Sequence, residues 1–151
     1  MILFNFNGCY LLVKPLKSES EYKTNTHKMS KKSSGKLGLE GEKAARKYLE
    51  SLGYQLLEAN WRFQKYEVDI IARDGDQMVF IEVKTRRTDE FGEPELFVTP
   101  AQQKRIVTAA DHYIQKGDIT LHSRFDILSI LPDSEGFSIK HLKEAFYPAL
   151  K

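Results

Sequence analysis

The chain has 151 residues, of which 41% are hydrophobic and 29% are charged, a composition typical of one globular domain with a single core. Its net charge of +2 comes from residues 1–28, because residues 29–151 hold nineteen basic and nineteen acidic side chains. This balance excludes attraction of nucleic acid by the electrostatic field of the whole domain, and it leaves open binding through a local basic patch. The one cysteine, Cys9, excludes an internal disulfide and favours a cytoplasmic protein.

Residues 1–34 are predicted to form an N-terminal extension to a domain over residues 35–151. The apolar stretch 1–13 is too short for a membrane-spanning helix, so we expect no membrane partner. Residues 17–36 are rich in polar and charged side chains, which predicts disorder. The polar residues after Met29 suggest that the natural product starts there. Peptides from residues 1–28 in the native protein would contradict that expectation.

The first half of the chain predicts one helix followed by three strands. Apolar residues recur with helical spacing from Leu39 to Leu52, and Gly53 is placed to end that helix. Alternating or continuous apolar runs then predict strands at 54–63, 66–73 and 77–84.

A second helix and two further strands complete the predicted domain. After a longer loop at 85–98, Thr99 suits an N-cap, Pro100 the first helical position and Gln102 the third. Gly117 is placed to end this helix, and strands are expected at 125–131 and 137–145. The order α-β-β-β-α-β-β predicts an α/β fold.

The second and third strands form a predicted hairpin that carries acids among its apolar residues. If Asp74-Gly75 is a two-residue turn, Asp69 lies opposite Phe80 and Glu67 lies opposite Glu82. Asp69 and Glu82 are then diagonal neighbours about 7 Å apart on one face, which they share with Lys84. Charges on buried strands are costly unless they are compensated, so this face is the candidate functional site.

Two carboxylates at that separation can bind one divalent cation together. Asp69, Glu82 and the backbone carbonyl of Val83 are hard oxygen ligands, which suit Mg²⁺ or Mn²⁺ better than zinc. The alternative is a buried ion pair between Lys84 and one of the two acids. Glu67 is a further candidate ligand, because it would repel Glu82 without a cation, or it pairs with Arg62 or Lys84.

The acids on adjacent strands and the Glu-x-Lys of the third strand resemble the PD-(D/E)XK, restriction-endonuclease-like superfamily. More narrowly, residues 35–131 resemble the YraN-like family of uncharacterised bacterial proteins, which are predicted endonucleases. The matching segments are Gly38-Leu-Glu-Gly-Glu42, Tyr48-Leu-Glu-Ser-Leu-Gly53-Tyr54, Asn60-Trp-Arg62, Glu67-Val-Asp69, Phe80-Ile-Glu82-Val-Lys84-Thr-Arg86, Lys104-Arg105 and Arg124-Phe-Asp126.

The resemblance implies a mixed sheet flanked by helices and metal-dependent hydrolysis of phosphodiesters. Asp69 and Glu82 would bind the metal, and Lys84 would orient or help to deprotonate the attacking water. Glu42, expected in the first turn of its helix, would be an additional acid of the site and a further candidate ligand. Gln103 or Lys104, near the start of the second helix, would contact phosphate.

Several basic and aromatic residues allow both a functional and a structural interpretation. Arg86, Arg87, Lys104 and Arg105 are candidates for nucleic-acid contacts or form a solvated charged rim. Asp126 beside Arg124 indicates a structural pair, and Trp61 and Tyr54 are expected to pack in or beside the core.

The leading hypothesis is a magnesium-dependent nuclease that acts on DNA, with a structure-selective enzyme such as a Holliday-junction resolvase as an analogy only. The alternative is a nucleic-acid-binding or protein-interaction module that keeps the fold and cleaves little. A homodimer would suit an enzyme that cuts two strands, although the sequence shows no interface.

Overall fold

A computed structural model of the protein describes residues 31–87 and 98–148. The N-terminal extension before residue 31 and most of the predicted 85–98 loop lie outside the described residues. Within them the chain forms two helices and five strands: α1 (Lys31–Ser51), β1 (Gln55–Phe63), β2 (Tyr66–Asp74), β3 (Gln77–Thr85), α2 (Pro100–Gly117), β4 (His122–Asp133) and β5 (Gly136–Leu142).

The five strands form one mixed sheet in the order β1-β2-β3-β4-β5. Strands β3 and β4 are parallel, and the other neighbouring pairs are antiparallel. Parallel neighbours need a crossover connection, and α2 lies in that connection. The order and the mixed sheet confirm the predicted α/β class and agree with a restriction-endonuclease-like core.

Each helix covers one face of the sheet, so the domain has two apolar cores. On one face Ala45 and Leu49 of α1 pack with Ile70, Ile81 and other residues of the central strands. On the other face the buried side chains of α2 pack with a second set of sheet residues, which includes Val68, Ile71, Phe80 and Phe125. A strand buried on both faces needs continuous apolar sequence, which explains the unbroken run from Met78 to Ile81.

The N-terminus of α2 is as predicted. Thr99 has an extended backbone, and its hydroxyl accepts a hydrogen bond from the backbone N–H of Gln102 at 3.3 Å, while Pro100 opens the helix. The end of the helix differs slightly from the expectation. The left-handed residue is Asp118, at φ 49°, rather than Gly117.

Helix α1 begins at Lys31, eight residues before the predicted start. Residues 31–36, for which the sequence predicted disorder, are therefore helical. Glu42 lies in the middle of α1 and not in its first turn, so the helix dipole does not explain its position. Gly53, with φ 85°, follows the last turn as predicted.

The hairpin register differs from the predicted one by two residues. Asp74 pairs with Gln77 and Arg73 with Met78, so Gly75 and Asp76 are the turn residues. Gly75 has φ 61°, and a glycine at the first of two turn positions is what a type II′ turn requires. Arg124 of β4 donates hydrogen bonds to both Asp74 and Gln77, so it bridges the two residues of this pair.

Candidate active site

Asp69 lies where the regular pairing of β2 with β3 stops. The pairs between these strands run from the turn to Ile70 and Ile81. Ile70 packs in the core beneath α1, but Val68 packs in the core beneath α2, so the alternation of side chains breaks at Asp69. The Asp69 carboxylate replaces the missing backbone partner, since Oδ2 accepts a hydrogen bond from Val83 N at 2.7 Å.

Glu82, on β3, lies beside Asp69 and is 8% exposed. The observed register brings Asp69 next to Glu82 and Val83, so the prediction that Asp69 lies opposite Phe80 was wrong. Oε1 of Glu82 accepts hydrogen bonds from Lys84 Nζ at 2.6 Å and from Gln102 Nε2 at 2.8 Å. Among the described residues, each of these two carboxylates therefore accepts hydrogen bonds at only one of its two oxygens.

The environment of Asp69 disfavours its charge. Burial raises the pKa of Asp69 to about 7, and the charge of Glu82 acts in the same direction. The Val83 N–H and the Lys84 ammonium lower the pKa of Asp69 in part, whereas Glu42 raises it further. Asp69, Glu82, Lys84 and Glu42, which the sequence selected together, are therefore close enough to interact.

Glu42 reaches this place because α1 passes very close to the end of β3. A Cβ atom at Gly41 would lie 2.0 Å from the Thr85 hydroxyl oxygen, so only glycine fits between the helix and the strand. Oε2 of Glu42 accepts a hydrogen bond from Asn60 Nδ2 at 3.3 Å and lies 3.8 Å from Arg46 Nη2.

Glu67 takes one of the roles that the sequence left open. It forms an ion pair with Arg62 on β1, with 3.0 Å between nitrogen and oxygen.

Within residues 31–87 and 98–148, no three side chains of His, Cys, Asp or Glu come together as a metal-binding group. A cation at this site would therefore depend on Asp69, Glu82, backbone oxygen and water.

The ion-pair alternative accounts for only one of the two central acids. Lys84 pairs with Glu82, and their side chains are 21% and 10% exposed. Asp69 forms no ion pair with any residue that the structure describes, and its short contact is to a neutral backbone N–H. Lys84 therefore neutralises Glu82 and leaves the half-buried Asp69 carboxylate of the same hairpin without a cationic partner among the described residues.

The predicted nucleic-acid contacts at the start of α2 are distributed over several sides of the helix. The Gln103 side chain donates to the Val98 carbonyl at 3.0 Å, which ties the first turn of α2 to the residue before its N-cap. Lys104 and Arg105 are exposed. At about 100° per residue, Lys104 lies on the opposite side of the helix from Gln102, and Arg105 lies nearer to Gln102. Arg86 follows β3 directly, and its backbone N–H donates to Ile130 O.

Two residues at the site were not identified as functional from the sequence. Gln102, considered only as a capping residue, donates to Glu82, and Asn60 donates to Glu42. The available signals were weak: Gln102 lies in the first turn of a helix beside the Glu-x-Lys strand, and Asn60 is a turn-favouring residue inside a strand.

A second polar cluster lies away from the acids, around Asp126. Asp126 is fully buried and accepts hydrogen bonds from Arg124 Nε at 3.0 Å and from Glu144 N at 3.0 Å, and it contacts His141 Nε2 at 2.9 Å. Arg124 also binds the Tyr54 hydroxyl at 2.7 Å. This confirms the expected pairing of Asp126 with Arg124, and their burial supports a structural role.

The mixed sheet between two helices, with acids and a lysine where its central strands separate, defines an α/β protein of the restriction-endonuclease-like fold class. The chain belongs to the uncharacterised protein family UPF0102, whose family model matches residues 41–130 and so includes Glu42, Asp69, Glu82 and Lys84. This confirms the resemblance to the YraN-like family that the motifs indicated.

The relatives are similar over most of their length. The UPF0102 protein of Christiangramia forsetii is 45% identical over 111 residues, which cover 74% of this chain and 93% of the relative. The corresponding protein of Flavobacterium psychrophilum is 42% identical with the same coverage. That of Syntrophus aciditrophicus is 45% identical over 113 residues, 74% of this chain and 87% of the relative. Within the described residues, no helix has the length and apolar character to cross a membrane.

Proposed function

We propose that this protein is a metal-dependent nuclease that hydrolyses phosphodiester bonds of DNA at the site formed by Asp69, Glu82 and Lys84. The observation that carries the proposal is the Asp69 carboxylate, which lies half-buried beside Glu82 without an ion-pair partner among the described residues. A protein gains no stability from two acids in this arrangement, so their proximity favours a functional explanation.

The donor set fits a small hard cation. Asp69 and Glu82 supply carboxylate oxygens, and no cysteine or histidine contacts either of them among the described residues. Oxygen ligands with room for water favour Mg²⁺ or Mn²⁺ over zinc. When bound, such an ion supplies Lewis-acid stabilisation of charge on a phosphoryl group and activates water. Asp69 and Glu82 are the residues that would hold it.

The remaining contacts orient these groups. The Val83 N–H fixes one oxygen of Asp69, while Gln102 and Lys84 fix one oxygen of Glu82. The Lys84 ammonium, 21% exposed as a side chain, would orient a water molecule and stabilise negative charge on the phosphate. Glu42 contributes a third negative charge from α1.

The substrate proposal rests on phosphate chemistry and on local charge. The domain has no net charge to attract DNA, so contacts must come from residues near the site. Arg86, Lys104 and Arg105 are candidates at the ends of β3 and α2. A preference for branched DNA and a homodimeric assembly are further expectations, which cleavage of junction substrates and sedimentation would examine.

Cleavage assays with active-site variants test this function. The full chain is incubated with single-stranded, duplex and branched DNA and RNA, with Mg²⁺ or Mn²⁺ and with a chelator. We expect metal-dependent cleavage that falls at least about a hundredfold in Asp69→Asn and in Lys84→Ala. Glu135→Gln, in the exposed β4–β5 turn, is the matched control and should cleave normally. Cleavage that survives both active-site substitutions would refute the proposed site.

A binding module is the second candidate, and the Lys84–Glu82 ion pair at 2.6 Å favours it. A lysine engaged in this way stabilises the fold without any reaction. The same assays separate the two functions. Nucleic-acid binding without cleavage under every metal condition would support the binding module.

A further inference from the structure

The side chains of Glu82 and Lys84 lie on the face of the sheet that α2 covers. Phe80 packs in the core beneath α2, whereas its neighbour Ile81 packs in the core beneath α1. Because side chains alternate along a strand, Glu82 and Lys84 continue the face of Phe80. Gln102, in the first turn of α2, reaches Glu82 from the helix that covers this face.

The ion pair between Lys84 and Glu82 competes with the role proposed for the lysine. Nζ of Lys84 lies 2.6 Å from Oε1 of Glu82. An ammonium that is drawn toward a phosphate weakens its contact with the carboxylate. Glu82 is 8% exposed, and a buried carboxylate without a donor is costly. When Lys84 turns toward substrate, Glu82 therefore needs a second donor to stay in place.

Gln102 supplies a second donor to the same atom. Its Nε2 donates to Oε1 of Glu82 at 2.8 Å. The amide is neutral, so a phosphate attracts it far less than it attracts an ammonium. The backbone N–H of Gln102 donates to the hydroxyl and the carbonyl of Thr99, at 3.3 and 2.9 Å, which anchors the residue at the start of α2. Glu82 thus has one donor anchored on a helix and one on the flexible side chain of Lys84.

We propose that Gln102 is a positioning residue, which keeps Glu82 in place while Lys84 turns from Glu82 to the phosphate of the substrate. Under the proposed nuclease function, on which this inference rests, a lysine that is ion-paired in the resting site can then act on a phosphate without releasing Glu82. Oε2 of Glu82 accepts no hydrogen bond among the described residues and is the oxygen left for a cation.

Calorimetric titration of the full chain with Mn²⁺, without nucleic acid, tests the two donors separately. Lys84→Ala imitates the state in which the lysine has left Glu82. Gln102→Met removes the amide and keeps a good helix former with the same backbone N–H. We expect Gln102→Met to weaken Mn²⁺ binding at most about threefold in the parent chain, where Lys84 still holds Glu82, but about tenfold in the Lys84→Ala background.

Gln115→Met is the matched control. Gln115 lies on the same helix, and its Nε2 also donates to a carboxylate, that of Asp111, at 2.8 Å. This substitution should leave the Mn²⁺ affinity unchanged in both backgrounds. Equal effects of Gln102→Met in the two backgrounds, or no effect in either, would overturn the positioning role and leave the proposed nuclease site intact. Absence of Mn²⁺ binding in the parent chain would overturn metal dependence itself, and the inference with it.

Cleavage kinetics separate positioning from direct contact with substrate. We expect Gln102→Met to lower kcat about tenfold and to leave KM for DNA unchanged, because the amide acts on Glu82 when Lys84 is engaged with the phosphate. A rise in KM at constant kcat would show that Gln102 binds the substrate itself, and it would overturn the positioning role.

Discussion

Asp69 should make the stability of this protein fall as the pH rises from about 4 to 8. Burial and Glu82 raise its pKa to about 7, compared with the ordinary 3.8. In that interval the folded chain holds a proton on Asp69 that the unfolded chain has released. The contribution of Asp69 to stability is therefore most favourable below pH 4 and is lost as the pH rises through 7.

The magnitude follows from the same two values. They differ by about three pH units, and each unit corresponds to about 1.36 kcal/mol, so the effect is at most about 4 kcal/mol. Asp69→Asn removes the titration and keeps an oxygen to accept the Val83 N–H. The variant should match the parent chain near pH 4 and exceed its free energy of unfolding increasingly toward pH 8.

Urea denaturation, followed by circular dichroism from pH 4 to 8, measures this difference. Asp74→Asn provides a control of opposite sign, because hydrogen bonds from Arg124 and Tyr54 lower the pKa of Asp74 despite its burial. That variant should lose stability at neutral pH and recover toward the parent at acid pH. Parallel pH profiles of Asp69→Asn and the parent chain would refute the argument that Asp69 is held in an unfavourable charged state.

Metal binding should reverse the loss at high pH. At a Mg²⁺ concentration one hundred times its dissociation constant, the parent chain should gain about 2.7 kcal/mol at pH 8. Asp69→Asn should gain much less, because it lacks one carboxylate ligand. Equal stabilisation of both chains would place the bound cation elsewhere.

Three further predictions concern the framework of the site. Gly41→Ala should cost about 1–3 kcal/mol in urea denaturation, and Thr85→Ala should restore part of it, because the added Cβ would lie 2.0 Å from the Thr85 hydroxyl. Arg124→Met should lower stability by about 3–5 kcal/mol by leaving Asp126 buried without its cation, and a thermal midpoint close to that of the parent would contradict this. Thr99→Ala should cost about 1 kcal/mol and Thr99→Ser little, since serine retains the capping oxygen.

Local signals predicted the elements well because local chemistry decides them. Thr99 and Pro100 fixed the start of α2, and the long apolar strands fixed the positions of β2 and β3. The start of α1 was misplaced because its first turns carry little apolar periodicity. The hairpin register was misplaced because Asp74 and Gly75 fit more than one turn, and the contact of Arg124 with Asp74 and Gln77 comes from a residue far along the chain.

The sequence by itself determined the element order, the family and the selection of Asp69, Glu82 and Lys84 as one candidate site, because these depend on residue types and short spacings. Only the tertiary structure decided what each acid contacts. Asp69 receives the Val83 N–H, Gln102 reaches Glu82, and Glu42 comes in from the middle of α1 through the close approach at Gly41. These contacts join residues far apart in the chain, and their geometry follows from how the helices pack on the sheet.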